Sequence, residues 1–153
     1  MQITAPAPFR AILWAGLIAG TLDITAAFVV YGSMGLRPIR LLQGIAAGLL
    51  GTSSFSGGLA TAALGLLCHF FIAYGAAATY VAASRALAVL TRRPFVFGPL
   101  YGLAVYFFMQ FVVHHSRATH RPSSLQSTLI GCAIHIVCVG TPIALTTARL
   151  ARR

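Results

Sequence analysis

Four long apolar segments run through this 153-residue chain and decide what it can fold into. They cover residues 12–31, 59–82, 95–113 and 127–148. Each is close to the roughly 20 residues that a helix needs to cross the hydrocarbon core of a bilayer. In lipid a spanning segment must satisfy its own backbone hydrogen bonds, which favours helices. We therefore predict an all-α membrane protein with four transmembrane helices, built as a single integral membrane domain over residues 1–153.

A shorter helix is predicted between the first and second spans, over about residues 36–50. Apolar side chains recur there at helical spacing, at Leu36, Ile39, Leu42, Ile45 and Leu49. One apolar face on a short segment that begins with arginines is typical of a helix lying at the membrane interface. A re-entrant hairpin is the alternative, because Gly44, Gly48 and Gly51 allow close backbone packing.

The basic residues predict the orientation of the chain. All eleven are arginines, and only one acidic residue opposes them, which gives a formal charge of +10. The two sides of the predicted membrane carry seven and four of them: Arg10, Arg85, Arg92, Arg93, Arg149, Arg152 and Arg153 against Arg37, Arg40, Arg117 and Arg121. The positive-inside rule then places both termini in the cytoplasm. The arginines are scattered between apolar runs and form no basic face, so we expect contacts with membrane lipids and no nucleic-acid partner.

The source and compartment follow from composition. Arginine without lysine, together with abundant alanine and glycine, is typical of a GC-rich bacterial genome, which predicts the inner membrane of a bacterium. The first apolar run is longer than the core of a signal peptide and carries an acid, so we expect it to remain uncleaved.

Asp23 is the only acidic residue and lies within the first apolar segment. A carboxylate at that depth is costly unless it is paired, protonated or turned towards a polar interior. At about 1.5 Å per residue, Asp23, His69 and His135 fall at similar depths, roughly 15 to 18 Å from the predicted cytoplasmic ends of their helices. These three residues are predicted to form a buried polar layer, and helix–helix hydrogen bonding without further function is the alternative.

Small residues mark the faces along which the helices are expected to pack. The glycines on these faces are Gly16, Gly20, Gly65, Gly98, Gly102 and Gly131. In lipid such positions let backbones approach closely, so we predict packing seams within the bundle or in a homodimer. Four aromatic residues lie towards span ends and are interpreted as interfacial anchors: Trp14, Tyr31, Tyr80 and Tyr101.

Other polar groups offer weaker signals. His114, His115 and His120 share a loop with two arginines, and we interpret that loop as solvated and basic, with a pH sensor or weak metal capture as the alternative. No pairing of a nucleophile with a base is evident, so we predict no catalytic residues and no enzyme activity. The three cysteines all lie in apolar segments and predict no disulfide framework.

From the second span onward the chain resembles the small bacterial inner-membrane proteins of the YagU-like type. The resemblance covers about the last 90 residues. The residues that carry it are His69 and Tyr80, then Arg92, Arg93, Gly98 and Gly102, then Gly131 and His135. It implies a multi-pass inner-membrane protein and does not imply an activity.

Three functions compete at this point. Intramembrane acid and histidine groups mark ion paths, which favours small-solute or proton-linked passage, as a homo-oligomer that enlarges the cavity. A structural or interaction protein, with the polar residues holding helices together, is the main alternative. The third is a haem or metal protein with His69 and His135 as axial ligands, and without it no cofactor is expected.

Overall fold

The computed structural model describes residues 7–118 and 124–150, and every regular element in these ranges is a helix. The elements are α1 (Ala7–Ser33), α2 (Pro38–Leu50), a 3₁₀ turn (Gly51–Ser56), α3 (Gly58–Ala86), α4 (Val89–Arg92), α5 (Pro94–His114), α6 (Leu125–Ile134), a π-helical segment (His135–Gly140) and α7 (Thr141–Leu150). The predicted all-α fold is confirmed.

Four helices are long and apolar enough to cross a membrane. They run over Pro8–Ser33, Gly58–Ala86, Pro94–His114 and Leu125–Leu150, a few residues longer at most ends than the apolar segments that predicted them. Their outward faces carry large apolar side chains, among which Phe71 is 80% exposed. Such a surface is stable only in lipid, and the chain is a multi-pass membrane protein.

Helix α2 packs on the first turns of α3. The backbones approach so closely that a methyl group at Gly65 would overlap the carbonyl group of Leu42. The buried Gln43 side chain donates from Nε2 to the carbonyl oxygen of Gly58, at 3.0 Å. At its far end α2 meets the segment that follows α5, where the Arg117 amide donates to the carbonyl oxygen of Gly48, at 3.1 Å. Helix α2 therefore connects α3 to the segment after α5.

The fourth span is interrupted by the π-helical segment. The carbonyl oxygen of Ile136 accepts the amide of Thr141 five residues later, and also its hydroxyl group at 2.7 Å. Pro142 follows, and since proline has no N–H it cannot continue the α-helical hydrogen-bond pattern. The wider turn brings Gly140 against the backbones of Gly98 and Gly102 in α5.

The bundle has two unlike halves. We call the end where α1 begins and α7 finishes the termini end, and the other the α2 end. The half towards the termini end has a dense core of small and medium residues: Ala15, Ala19, Ala77, Tyr80, Val105, Val139, Ile143 and Ala144. The half towards the α2 end holds a cavity.

Two tyrosines belong to the dense half, and their prediction as interfacial anchors is wrong. Tyr80 is 2% exposed and donates to the carbonyl oxygen of Leu90 at 3.1 Å. Tyr101 donates to the carbonyl oxygen of Ala76 at 2.7 Å, and the two rings lie 4.9 Å apart. Both hydroxyl groups find backbone carbonyls instead of interfacial water, which ties α3 to α4 and α5.

Candidate functional site

A cavity of about 960 Å³ occupies the half of the bundle towards the α2 end. Helices α1, α2, α3 and α5 and the π-helical segment all line it. Its walls are mainly apolar and include Ala27, Ile45, Phe71, Met109 and Val139. A volume of this size matches the sites that proteins use for small organic ligands.

Asp23, His69 and His135 all line this cavity. Each lies about 15 to 17 Å from the α2 end of its helix, at 1.5 Å per residue. The lining continues past these residues towards the termini end, to Ala76 and to Ala19 and Val139, which also belong to the dense core. The polar residues therefore lie in the deep part of the cavity, about one helical turn short of its floor.

Asp23 and His69 face each other across the contact between α1 and α3. Oδ2 of Asp23 lies 3.9 Å from Nδ1 of His69, and the two side chains are 18% and 11% exposed. The other ring nitrogen of His69, Nε2, lies 2.8 Å from the carbonyl oxygen of Gly20. Both nitrogens of this imidazole are thus directed at α1.

The hydrogen bond to Gly20 fixes where protons can reside. A carbonyl oxygen only accepts, so Nε2 of His69 must carry a hydrogen. Nδ1 then faces Asp23 either as N–H, which makes the ring a cation, or as a bare acceptor, which bonds only to a protonated carboxyl group. The pair can therefore share a single proton. At 3.9 Å the two atoms are beyond direct hydrogen-bonding distance, so sharing needs a closure of about 1 Å or a bridging water.

Close helix packing positions this pair. A methyl group at Gly20 would contact the Phe70 ring and Ala73, and one at Gly16 would overlap the Tyr74 ring. Only glycine lets α1 approach α3 so that His69 reaches the α1 backbone. The other glycines singled out in the sequence also face neighbouring elements, as a methyl group at Gly131, for example, would overlap the Tyr106 ring.

His135 contributes to the cavity but bonds elsewhere. Its Nδ1 lies 2.9 Å from the carbonyl oxygen of Gly131, one turn back on the same helix, so Nδ1 donates. Tyr106 of α5 meets its ring edge-on, with the ring centroids 5.4 Å apart. Within the predicted polar layer, Asp23 and His69 are the two side chains that face each other. His135 instead contacts α5 and its own helix.

The cavity carries little charge. Asp23 is its only carboxylate, and among the residues that the structure describes no arginine lines it. The remaining polar side chains of the described wall are Tyr31, Cys68 and Ser116, along with the two histidines. Asp23 is therefore the one carboxylate of this wall with which a positively charged ligand could pair.

The geometry does not suit axial haem ligation by the two histidines. Nε2 of His69 is committed to the carbonyl oxygen of Gly20, and its Nδ1 faces Asp23. Binding iron would break one of these contacts. Across residues 7–118 and 124–150, no group of three or more His, Cys, Asp or Glu residues is arranged to hold a metal ion.

The histidine-rich loop at the α2 end is only partly described. His115 is exposed, its Nδ1 lies 2.9 Å from the carbonyl oxygen of Phe111, and its ring lies 5.2 Å from that of His114. His120 and Arg121 lie outside the described residues.

Two features of the site were missed by sequence reasoning. Tyr31 was assigned to the interface and instead lines the cavity. Helix α2 was placed at the membrane surface or in a hairpin, without a role in the site, yet Gly44 and Gly48 line the cavity wall. A usable signal is Gln43, the one amide on a helix whose only other polar side chain is Arg40, because a buried amide requires partners.

No protein-family model, curated protein or solved structure matches this chain. The geometry of the site therefore has to carry the functional inference.

Proposed function

We propose that this protein mediates the proton-linked passage of a small solute, with Asp23 and His69 as the proton-carrying pair. One observation carries the proposal. In the deep part of a large cavity, a carboxylate faces an imidazole whose other nitrogen is already protonated and bonded to Gly20. Intramembrane acids and histidines arranged in this way are typical of proton relays.

The two halves of the bundle fit such a role. The cavity gives solvent or lipid access to Asp23 from the side of the α2 end. Towards the termini end, Tyr80, Tyr101 and Ile143 fill the space that a path would have to cross. A transporter that does not leak must keep one side of its binding site closed at any moment. The Gly98–Gly102–Gly140 contact and the π-helical segment beside it are where the bundle would rearrange.

The proposal keeps the sequence-based orientation, with both termini in the cytoplasm of a bacterial cell and the cavity facing away from it. It also keeps the kinship with YagU-like proteins as a hypothesis. A homo-oligomer was expected to enlarge the cavity through the glycine faces. Those glycines contact helices of the same chain, and one chain lines the cavity by itself, so a second copy is not required.

Proton flux into reconstituted vesicles tests the proposal. Wild-type protein is expected to change the luminal pH, read with an enclosed pH dye, when a proton gradient is imposed and small amines, sugars and amino acids are supplied in turn as the solute. Asp23→Asn and His69→Gln are each expected to lower the rate on the order of a hundredfold, the usual contribution of a positioned proton-transfer group. Thr25→Val, which alters an exposed side chain on α1, is the matched control and should retain full flux.

The competing interpretation is that the pair only holds α1 to α3. In that case Asp23→Asn would lower thermal stability in detergent and leave the flux per folded protein unchanged. Flux that is indistinguishable between wild type, Asp23→Asn and vesicles without protein would overturn the proposal.

A further inference from the structure

We propose that the cavity binds a lipophilic monovalent organic cation, which displaces the proton shared by Asp23 and His69. This rests on the proposed function and names the class of solute. It follows from three properties of the cavity: the sign of its charge, the nature of its walls and the surface to which it opens.

The charge selects a cation. Asp23 is the only carboxylate of the lining, and no arginine of the described residues 7–118 and 124–150 lines the cavity to hold an anion. A carboxylate in a mainly apolar cavity is stabilised by an opposite charge a few ångströms away and destabilised without one. A single carboxylate balances a single positive charge, so a monovalent cation fits better than a divalent metal ion.

The apolar walls favour a cation whose remaining atoms are also apolar. Most side chains around the cavity are alanine, leucine, isoleucine, valine, methionine or phenylalanine. A sugar or an amino acid would lose its hydrogen bonds with water here and regain few of them, and each group left unpaired weakens binding. A phosphonium or quaternary ammonium ion has no donor to leave unpaired, and the few N–H groups of an alkylammonium ion can bond to the Asp23 carboxylate.

The opening of the cavity suits a solute that dissolves in lipid. Leu67 and Phe71 line the cavity, yet they are 69% and 80% exposed on the outer face of α3. The cavity therefore reaches the surface that contacts lipid tails. A lipophilic cation collects in the membrane and can reach Asp23 through this side without crossing bulk water.

Charge balance sets the exchange. In the exchange that we propose, the cation replaces one proton on the pair, which is neutral with that proton both as carboxylate with imidazolium and as carboxyl with imidazole. When an organic cation approaches Oδ2 of Asp23, the shared proton leaves to the water of the cavity, and His69 keeps only the proton on Nε2 that it donates to Gly20. The charges of the carboxylate and the cation again sum to zero. Binding thus releases one proton for each cation.

Other titratable groups near the pair must be accounted for in any proton count. Those facing the cavity from α1, α3 and the fourth span, or close enough to sense the charge of Asp23, are Tyr31, Cys68, His135 and Cys138. Tyr106 of α5 is in contact with His135. At neutral pH the histidine of this set is the competing proton source, so a His135→Gln variant is measured alongside.

The test measures binding and proton release on purified protein in lipid nanodiscs, with empty nanodiscs subtracted. The probe is tetraphenylphosphonium. Tetraphenylborate is the matched anion, and triphenylphosphine oxide is the uncharged control. We expect saturable binding of the cation alone, with about one proton released per cation in weakly buffered solution. Asp23→Asn should weaken binding at least about tenfold, while Asp23→Glu and Thr25→Val should retain it. His69→Gln should bind the cation and release no proton.

Each outcome decides one point. Equal binding of the neutral probe, tighter binding of the anion, or unchanged binding by a folded Asp23→Asn variant overturns the inference. Proton release that survives in His69→Gln and vanishes in His135→Gln overturns the assignment of the proton. Cation binding without flux in vesicles would refute the proposed passage and leave the binding site standing, and flux without cation binding would do the reverse.

Discussion

The halves of this bundle are built from the same four helices, yet they are packed in opposite ways. Towards the termini end, Ala15, Ala77 and Ile143 are fully buried in one core, and the tyrosine hydroxyl groups bond to backbone carbonyls. Towards the α2 end the helices surround a cavity of about 960 Å³. Small residues and glycines let the helices pack closely in the half towards the termini end. In the other half, the short helix α2 forms part of the cavity wall.

The difference teaches where a membrane bundle can place a carboxylate. Asp23 lies at the boundary, where its oxygen meets His69 and the cavity begins. One turn deeper it would face the alanine core without a partner, at a cost of several kcal/mol. The predictions below test this comparison, from the largest expected effect to the smallest.

Adding a methyl group to the close backbone contact of the dense half should be the most damaging change. A methyl group at Gly140 would overlap the backbones of Gly98 and Gly102, so Gly140→Ala is expected to destabilise the fold by about 3 kcal/mol. Gly44→Ala, on the cavity wall, has no atom within 4 Å of the added carbon and should change stability by less than about 1 kcal/mol. Unfolding titrations in mixed micelles measure both. Equal losses would show that the halves are packed alike.

Releasing α2 should affect the cavity half alone. Gln43→Leu removes the two hydrogen bonds that Nε2 donates, to the Gly58 carbonyl oxygen and to the Thr61 hydroxyl group, at an expected cost of about 2 kcal/mol. Hydrogen exchange followed by mass spectrometry should show faster exchange in α2 and the 3₁₀ turn, with α7 unchanged. Faster exchange spread evenly over all helices would mean that the halves are not separable.

Removing one hydroxyl group from the dense half should cost less. Tyr101→Phe loses the bond to the Ala76 carbonyl oxygen, worth about 1 kcal/mol. Tyr74→Phe is the control, because Tyr74 contacts Gly16 and Phe70 through its ring. Thermal unfolding in detergent compares the two, and a loss in Tyr74→Phe as large as that in Tyr101→Phe would argue against this role of the Tyr101 bond.

The smallest effect is the coupling between Asp23 and His69. A double-mutant cycle with Asp23→Asn and His69→Gln is expected to give an interaction of about 0.6 kcal/mol, the usual value for polar pairs between membrane helices. Such a small value alongside a large effect on flux would separate function from helix association. A coupling above roughly 2 kcal/mol with no effect on flux would favour a structural role.

The helices could be predicted from the sequence, and the cavity between them could not. Spanning segments are predictable because each must bond its own backbone in lipid, a requirement that length and apolarity reveal. The contact between α1 and α3 follows from glycine spacing around Asp23. The cavity depends instead on Gln43 reaching Gly58 and on Gly48 meeting Arg117, contacts between residues far apart in the chain. No local pattern encodes them.

Tyr80 and Tyr101 illustrate the same limit. A tyrosine near a span end is apolar along its ring and polar at its tip, and that chemistry suits interfacial water and a buried carbonyl equally well. Which one it meets depends on the neighbouring helix. For Tyr101 the partner is the Ala76 carbonyl oxygen on α3, 25 residues away in the chain.

Thiol accessibility along α1 tests the central claim, one-sided access to Asp23, most directly. Single cysteines at Ala27, on the cavity wall, and at Ala15, in the dense core, would be placed in a background with Cys68, Cys132 and Cys138 replaced by alanine. In sealed vesicles of known orientation, a small water-soluble thiol reagent is expected to label Ala27→Cys from the α2 end only and to leave Ala15→Cys unlabelled until the protein is denatured. Equal labelling of the two positions, or labelling of Ala27→Cys from the termini end, would contradict the account.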